Sequence, residues 1–213
     1  MKSTADFVNT SFFQRLFFAA LFVFSVIALL VFIVQYTQVD GLVMQAISTS
    51  VNDKTTQFMR GITFLGNHQL LIPANVCLII VLFFYKQKKW AVCTLLTSLT
   101  GVGLMSLLKK AFGRSRPPAS LVEGITNNAF PSGHAMMSLL FYGLLILLSI
   151  KFLKNKLLKI SAILLITILV LLIGYSRLYL RVHFTTDVLA GYSLGLCWLS
   201  CCIIISEKIM NRK

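Results

Sequence analysis

Charge is what this sequence has least of, and acid least of all. Aspartate and glutamate together number six, against 20 lysines and arginines, and charged residues make up only 12% of the chain. A water-soluble domain carries about 25% charged residues, so a soluble globular fold is excluded. The five cysteines (Cys77, Cys93, Cys197, Cys201 and Cys202) all lie in apolar stretches, with no CxxC pair and no ligand set beside them. They read as small buried hydrophobes, which excludes a disulfide framework and a metal site. Proline is scarce too, with four in all. None falls inside the last four apolar blocks, which speaks against the broken helices of a transporter. There is no internal repeat, no low-complexity tail and no small-x-small cleavage site after Val34, so the first apolar block reads as a retained helix.

Hydrophobic residues are abundant: 57% of 213, with a mean hydropathy of +0.85. They come in blocks at about 16–34, 70–85, 90–108, 135–150, 160–176 and 188–205. About 20 apolar residues of helix cross the hydrocarbon core, so the expectation is an all-α integral membrane bundle of six transmembrane helices. The blocks nearly exhaust the sequence, so residues 1–213 read as one membrane domain. The longest connection between spans, about 37–63, carries apolar residues at helical spacing (Leu42, Val43, Ala46, Ile47, then Phe58, Met59, Ile62). That pattern predicts one or two short amphipathic helices at the outer interface. Pro73 and Asn75 predict a kink or an internal polar contact in the second span.

A net charge of +14 raises the question of nucleic acid, but the bases sit in short clusters between apolar blocks. With six spans both termini share one side, and that side collects Lys2, Arg15, Lys86, Lys88, Lys89, Lys151, Lys154, Lys156, Lys159, Lys208, Arg212 and Lys213. The positive-inside rule makes it cytoplasmic. No nucleic-acid partner is expected. Lys109, Lys110, Arg114, Arg116, Arg177 and Arg181 fall on the outer side, against that rule, and so require another explanation.

Three clusters supply it. Lys109 to Pro117 closes the third span, Pro131-Ser132-Gly133-His134 opens the fourth, and Ser176 to Asp187 runs from the fifth into the sixth. Alternating helices bring all three to one rim. Cations gathered there repel one another unless an anion sits between them, which points to phosphate. Pro131 suits a first helical turn, whose free N–H groups bind anions. Gly133 lets backbone approach phosphate oxygens, and Ser132 adds a hydroxyl. His183 and Asp187 are four apart, which on a helix puts them on one face, where the carboxylate fixes the imidazole tautomer. The imidazole so oriented can attack phosphorus, with His134 as proton donor to the leaving alkoxide and Lys109, Arg116 and Arg177 neutralising the phosphoryl oxygens.

Lys109-x6-Arg116-Pro117, Pro131-Ser132-Gly133-His134 and Ser176-Arg177-x5-His183-x3-Asp187 resemble the three-part signature of the type-2 phosphatidic acid phosphatase superfamily. That superfamily includes vanadium haloperoxidases, glucose-6-phosphatases and undecaprenyl-pyrophosphate phosphatases. The signature spans residues 109–187, and Gly61-Ile62-Thr63-Phe64-Leu65-Gly66 is also similar to bacterial lipid-phosphatase members. The resemblance implies His183 as nucleophile, Asp187 as its partner and His134 as acid. It gives Lys109, Arg116, Ser132, Gly133 and Arg177 to phosphate, and needs no metal or other cofactor. The expected substrates are lipid phosphates taken from the bilayer: phosphatidic acid, phosphatidylglycerol phosphate or undecaprenyl pyrophosphate.

Outside the signature, Arg114 and Arg181 read either as headgroup or second-phosphate ligands or as solvated loop charges. His68 reads as a headgroup contact or an interfacial polar residue, and Glu123 has no assigned role. The rival function is a non-catalytic lipid-phosphate carrier, which has no need of a histidine with an aspartate four residues on.

Overall fold

The computed structural model describes residues 9–35 and 37–210. Lys2, Arg212 and Lys213, assigned above to the cytoplasmic side, lie outside those residues. The described residues form eight helices and no strand: α1 (Thr10–Phe32), α2 (Gln38–Ser48), α3 (Asp53–Phe64), α4 (His68–Phe84), α5 (Lys88–Phe112), α6 (Gly133–Phe152), α7 (Lys156–Tyr179) and α8 (Thr185–Met210). Six crossings are long and apolar enough to span a membrane, with α3 and α4 together making the second. The six-span, all-helical expectation holds, and α2 and α3 stand where short helices were expected, α3 running on into the second span.

Asparagine sets many of the starts. Asn9, Asn52, Asn67 and Asn155 each accept from a backbone N–H in the first turn of α1, α3, α4 and α7, at 3.0, 3.0, 3.1 and 3.1 Å. A side-chain oxygen there satisfies one of the donors that helix geometry leaves unpaired. Asn9 thus serves α1 as a cap within its Asn-Thr-Ser sequence. In α4, Asn75 donates to Leu71 O at 2.7 Å and accepts from Ser98 Oγ of α5 at 2.7 Å. This is the internal polar contact anticipated near Pro73.

α8 is the hub, packed against α1, α5, α6 and α7. Lipid tails are as apolar as leucine, so helices in a membrane associate through close packing rather than hydrophobic burial. Gly191 shows the closeness required. A Cβ there would stand 2.6 Å from Ser132 O and 3.0 Å from Ala135 Cβ, so only glycine lets α8 meet the start of α6. At the same contact Ser132 N–H donates to Asp187 O at 2.9 Å. Beside it Phe24, Phe32, Phe112 and Phe130 interlock with centroid separations of 4.8–6.2 Å, burying Phe130 completely. That cluster anchors the last residues before Pro131.

A second apolar group joins α2 and α3 to the end of α7: Ile47 and Met59 pack with Tyr179, Leu180 and Val182, all buried. Tyr179 Oη accepts from Asn52 N–H at 3.1 Å. The two short helices therefore lie over the segment that carries His183.

Candidate active site

Helix ends build the site. α5 stops at Gly113 in the left-handed region, releasing an irregular segment, 113–132, that returns to α6. Side chains brace this segment against the helix it leaves. Lys109 Nζ donates to Asn128 O, and Asn128 Nδ2 donates back to Lys109 O at 2.8 Å. Arg116 Nε donates to Asn127 O at 2.8 Å, while its two other nitrogens reach Asn127 Oδ1 and Val182 O.

α7 ends in a two-bond turn: Arg181 N–H donates to Leu178 O at 2.9 Å and Val182 N–H to Arg177 O at 3.1 Å, with Arg181 at φ +53°. Such an end usually places glycine at the left-handed residue. It turns the chain so that His183 N–H also points at Arg177 O, at 3.3 Å. His183 therefore precedes α8 and is not on it, which corrects the expectation of one helical face. Phe184 is the residue before the helix, and Asp187 Oδ2 reaches back to accept its N–H at 2.8 Å. This backward cap brings the carboxylate to the imidazole. Nδ1 of His183 and Oδ2 of Asp187 are 3.4 Å apart, in contact but without the alignment of a full hydrogen bond.

On the other edge of the ring, Arg116 Nη1 lies 3.4 Å from His183 Nε2. Guanidinium only donates, so Nε2 is the acceptor and the proton sits on Nδ1, toward the carboxylate. Complete burial, then Arg116, Arg177 and Lys109, hold the His183 imidazole well below its ordinary pKa, so it is neutral. Burial likewise lowers Arg116 from its ordinary value.

Lys109, Arg116, Gly133, His134, Arg177 and His183 line one cavity of about 1420 Å³. Ser132 and Asp187 do not line it. Both are fully buried directly behind it, Ser132 as the residue capping α6 through Ala135 N–H at 3.5 Å. Arg177 is 4% exposed; its Nη1 donates to Thr63 Oγ1 at 2.6 Å, and its Nε is buried with no hydrogen-bond partner among the described residues. His68, at the first turn of α4, also lines the cavity. From the cation cluster the cavity continues as a groove between α4 and α5, walled by Ile72, Val76, Ile79, Leu95, Leu99 and Val102.

Residues 88–210, more than half the chain, match the PAP2 superfamily. The chain belongs to the PAP2 superfamily. It is 35% identical over 145 residues to phosphatidylglycerophosphatase B of Bacillus subtilis, covering 66% of this chain and 70% of that one. It is 29% identical over 141 residues to undecaprenyl-diphosphatase of Sulfolobus acidocaldarius, covering 63% of this chain and 62% of that one. The fold agrees with the crystal structure of a transmembrane PAP2-type phosphatidylglycerolphosphate phosphatase from B. subtilis, at a TM-score of 0.82 and 28% identity over 92% of this chain and 98% of that one. Aquifex aeolicus LpxE is more distant, with a TM-score of 0.56 and 26% identity over 78% and 92% of the two chains. This PAP2 protein is thus an integral membrane lipid phosphatase, of a class that hydrolyses phosphoric esters without a metal.

Several PAP2-site residues escaped the sequence reading. Asn127 and Asn128 brace the cations, and Thr63 orients Arg177. Arg114 is neither a phosphate ligand nor a solvated charge. Its Nη1 donates to Asp187 Oδ1 at 2.5 Å, its Nη2 to Asp40 Oδ2 at 2.8 Å, and its guanidinium stacks 4.4 Å from the Phe184 ring centre. The one signal available was the pairing rule itself: with so few acids, a buried Asp187 and Asp40 need cations.

Proposed function

We propose that this chain, working as one membrane phosphatase unit, removes the terminal phosphate of a membrane lipid through a phosphohistidine at His183. The observation that carries the reading is the shape of the cavity, which joins a cation-lined head to an apolar groove open between α4 and α5. A lipid phosphate fits both halves at once, its tail remaining in the apolar phase. Phosphatidylglycerol phosphate, phosphatidic acid and undecaprenyl pyrophosphate all present that combination. The two relatives, named for phosphatidylglycerophosphate and undecaprenyl diphosphate, support the first and third.

Nε2 of His183 attacks phosphorus, and the new N–P bond replaces the P–O bond to the lipid. The departing oxygen takes the bonding pair, and His134 gives it a proton. Bound phosphate, being anionic, favours the protonated form of His134 that this requires. Asp187 holds the proton on Nδ1 and balances the cationic ring; contacts of this kind tighten as the reacting complex forms. Lys109, Arg116, Arg177 and the backbone at Gly133 take the charge on the phosphoryl oxygens; Ser132, expected among the phosphate ligands, instead caps α6 from behind the cavity. Water, its proton passing to His134, then breaks the N–P bond and releases inorganic phosphate.

Both termini face the cytoplasm and the site opens to the outer face. The support is the distribution of lysine and arginine, together with the use found for the bases on the outer rim.

The test is phosphate release by detergent-purified protein in EDTA, comparing wild type with His183→Ala on the three lipids. Release by wild type alone is the expected result, and the order of rates names the preferred lipid. Equal release by His183→Ala removes the phosphohistidine step. Lipid binding with no release from any substrate favours the carrier.

A further inference from the structure

Asp40 sits on α2, outside the three clusters and 74 residues from Arg114 in sequence, yet it is 2% exposed. Among the described residues, every hydrogen bond of its side chain leads toward the site. Oδ1 accepts from Thr186 N–H at 2.9 Å, in the first turn of α8. Oδ2 accepts from Thr186 Oγ1 at 2.8 Å and from Arg114 Nη2 at 2.8 Å. Arg114 Nη1 meets Thr186 Oγ1 at 2.7 Å as well as Asp187 Oδ1. One guanidinium therefore bridges two buried carboxylates, and only one of them touches the histidine.

The geometry leaves each oxygen of Asp187 a separate duty. Oδ1 is held by Arg114, while Oδ2 is shared by Phe184 N–H and His183 Nδ1, which lies 3.4 Å away. A carboxylate free to rotate presents either oxygen; this one is fixed by the planar fork of Arg114, and the fork is fixed in turn by Asp40. Asp40 also moderates charge. Arg114 bound to Asp187 alone would draw that carboxylate's negative charge away from the imidazole, and a second acid on the same guanidinium divides the pull. An acid at the N-terminus of α8 is favoured besides, because the helix dipole is positive there.

We propose that Asp40 is a positioning residue for phosphate hydrolysis, setting the orientation and charge of Asp187 through Arg114 and making α2 part of the working site. The proposal rests on the reading of His183 and Asp187 as the nucleophilic pair. His183 faces Arg116, Arg177, Lys109, His134 and Asp187, with Arg114 and Asp40 behind the last. Neutralising Asp40 adds to a net positive surround and disfavours the imidazolium.

The experiment uses the full chain in detergent with dioleoyl phosphatidic acid, comparing wild type, Asp40→Asn, Arg114→Lys, Asp187→Asn, the Asp40→Asn/Asp187→Asn pair and His183→Ala. At metal centres, partners that orient a ligand through a hydrogen bond cost about 10- to 100-fold when removed, and a carboxylate that orients the nucleophile's partner acts on its neighbour in the same way. The expected result for Asp40→Asn is a fall in kcat of that size with KM unchanged, since the phosphate ligands are untouched, and a shift of the acid limb of kcat to lower pH. Arg114→Lys keeps the charge but not the fork, so it lowers kcat with no change in KM and supplies the test if Asp40→Asn does not fold. The double variant is expected to be no slower than Asp187→Asn alone. Wild-type kcat in Asp40→Asn, or a loss that multiplies with that of Asp187→Asn, overturns the proposal. Activity in His183→Ala instead overturns the phosphohistidine reading beneath it, a distinct outcome.

Discussion

Nη1 of Arg116 stands 3.4 Å from Nε2 of His183, so a cation guards the nitrogen that the mechanism needs unprotonated. Burial and the neighbouring Arg116 and Arg177 lower the His183 pKa well below 6.5. In the free enzyme the acid limb of kcat/KM for phosphatidic acid is therefore expected well below pH 6.5, since that limb reports the base that must be neutral. Stability follows the same sign. Above about pH 6.5 the ring is neutral folded or unfolded and contributes nothing; as pH falls through that value the unfolded chain takes up a proton that the native ring refuses. Each unit then costs up to about 1.4 kcal/mol from this group, until the native pKa is reached. A pH-rate profile in detergent measures the first effect, and an acid limb at or above pH 6.5 contradicts a neutral His183.

The meeting of α6 and α8 is equally open to test. Gly191→Ala places a methyl 2.6 Å from Ser132 O, which is backbone and cannot swing aside. The helices must separate, stretching the contact from Ser132 N–H to Asp187 O. Overpacking of this kind costs about 1–3 kcal/mol, so a lower Tm and weakened activity are expected together. Gly103→Ala is the control, because none of the described residues comes within 4 Å of its new methyl. Helix propensity alone makes that change neutral or stabilising by up to about 1 kcal/mol. Equal Tm values for the two variants dispose of the close-approach account.

Local signals in the sequence were enough for the spans and for the gathering of the clusters at one end of the bundle. Charge-free apolar blocks specify helices by length alone, and alternation of direction then carries Lys109, His134, Arg177 and His183 to one face. What escaped depends on distant contacts. Asp40 looked like one polar residue in an amphipathic stretch, because only the folding of α2 onto the start of α8 brings it to Arg114. The same holds for Thr63 against Arg177. His183 was placed on a helix because spacing of four is ambiguous: the backward cap by Asp187 produces the same proximity from a turn. Arg181 hid the end of α7, since that left-handed position usually announces itself with glycine.

The groove between α4 and α5 separates lipid chemistry from phosphate chemistry. Leu99 is 66% exposed and lines the groove away from the cations. Leu99→Trp fills it without touching Lys109, Arg116 or Arg177. For phosphatidic acid with long acyl chains KM is expected to rise about tenfold, the scale of roughly 1.4 kcal/mol of lost apolar contact. Hydrolysis of p-nitrophenyl phosphate, which has no tail, is expected to stay at the wild-type rate. An equal loss on both substrates means that the groove is not where the tail lies.

Orientation can be read directly from segment 113–132. Ser120 is exposed there and borders the cavity, so a Ser120→Cys variant reports the side on which the site opens. Twelve bases on the side of the termini argue for cytoplasmic ends. The bases opposite are not free to vote: Arg114 is tied to Asp40 and Asp187, and Arg116 to Asn127 and Val182. A charge recruited into a site is a poor indicator of sidedness, whereas the lysine-rich turns at 86–89 and 151–159 lie away from the site, with Lys89 paired to Glu207 and Lys151 to Gln87 on their own side. In intact cells a membrane-impermeant maleimide is expected to label Ser120→Cys, with the parent protein as background for its five native cysteines. Labelling by permeant reagent alone inverts the orientation and puts lipid hydrolysis on the cytoplasmic leaflet.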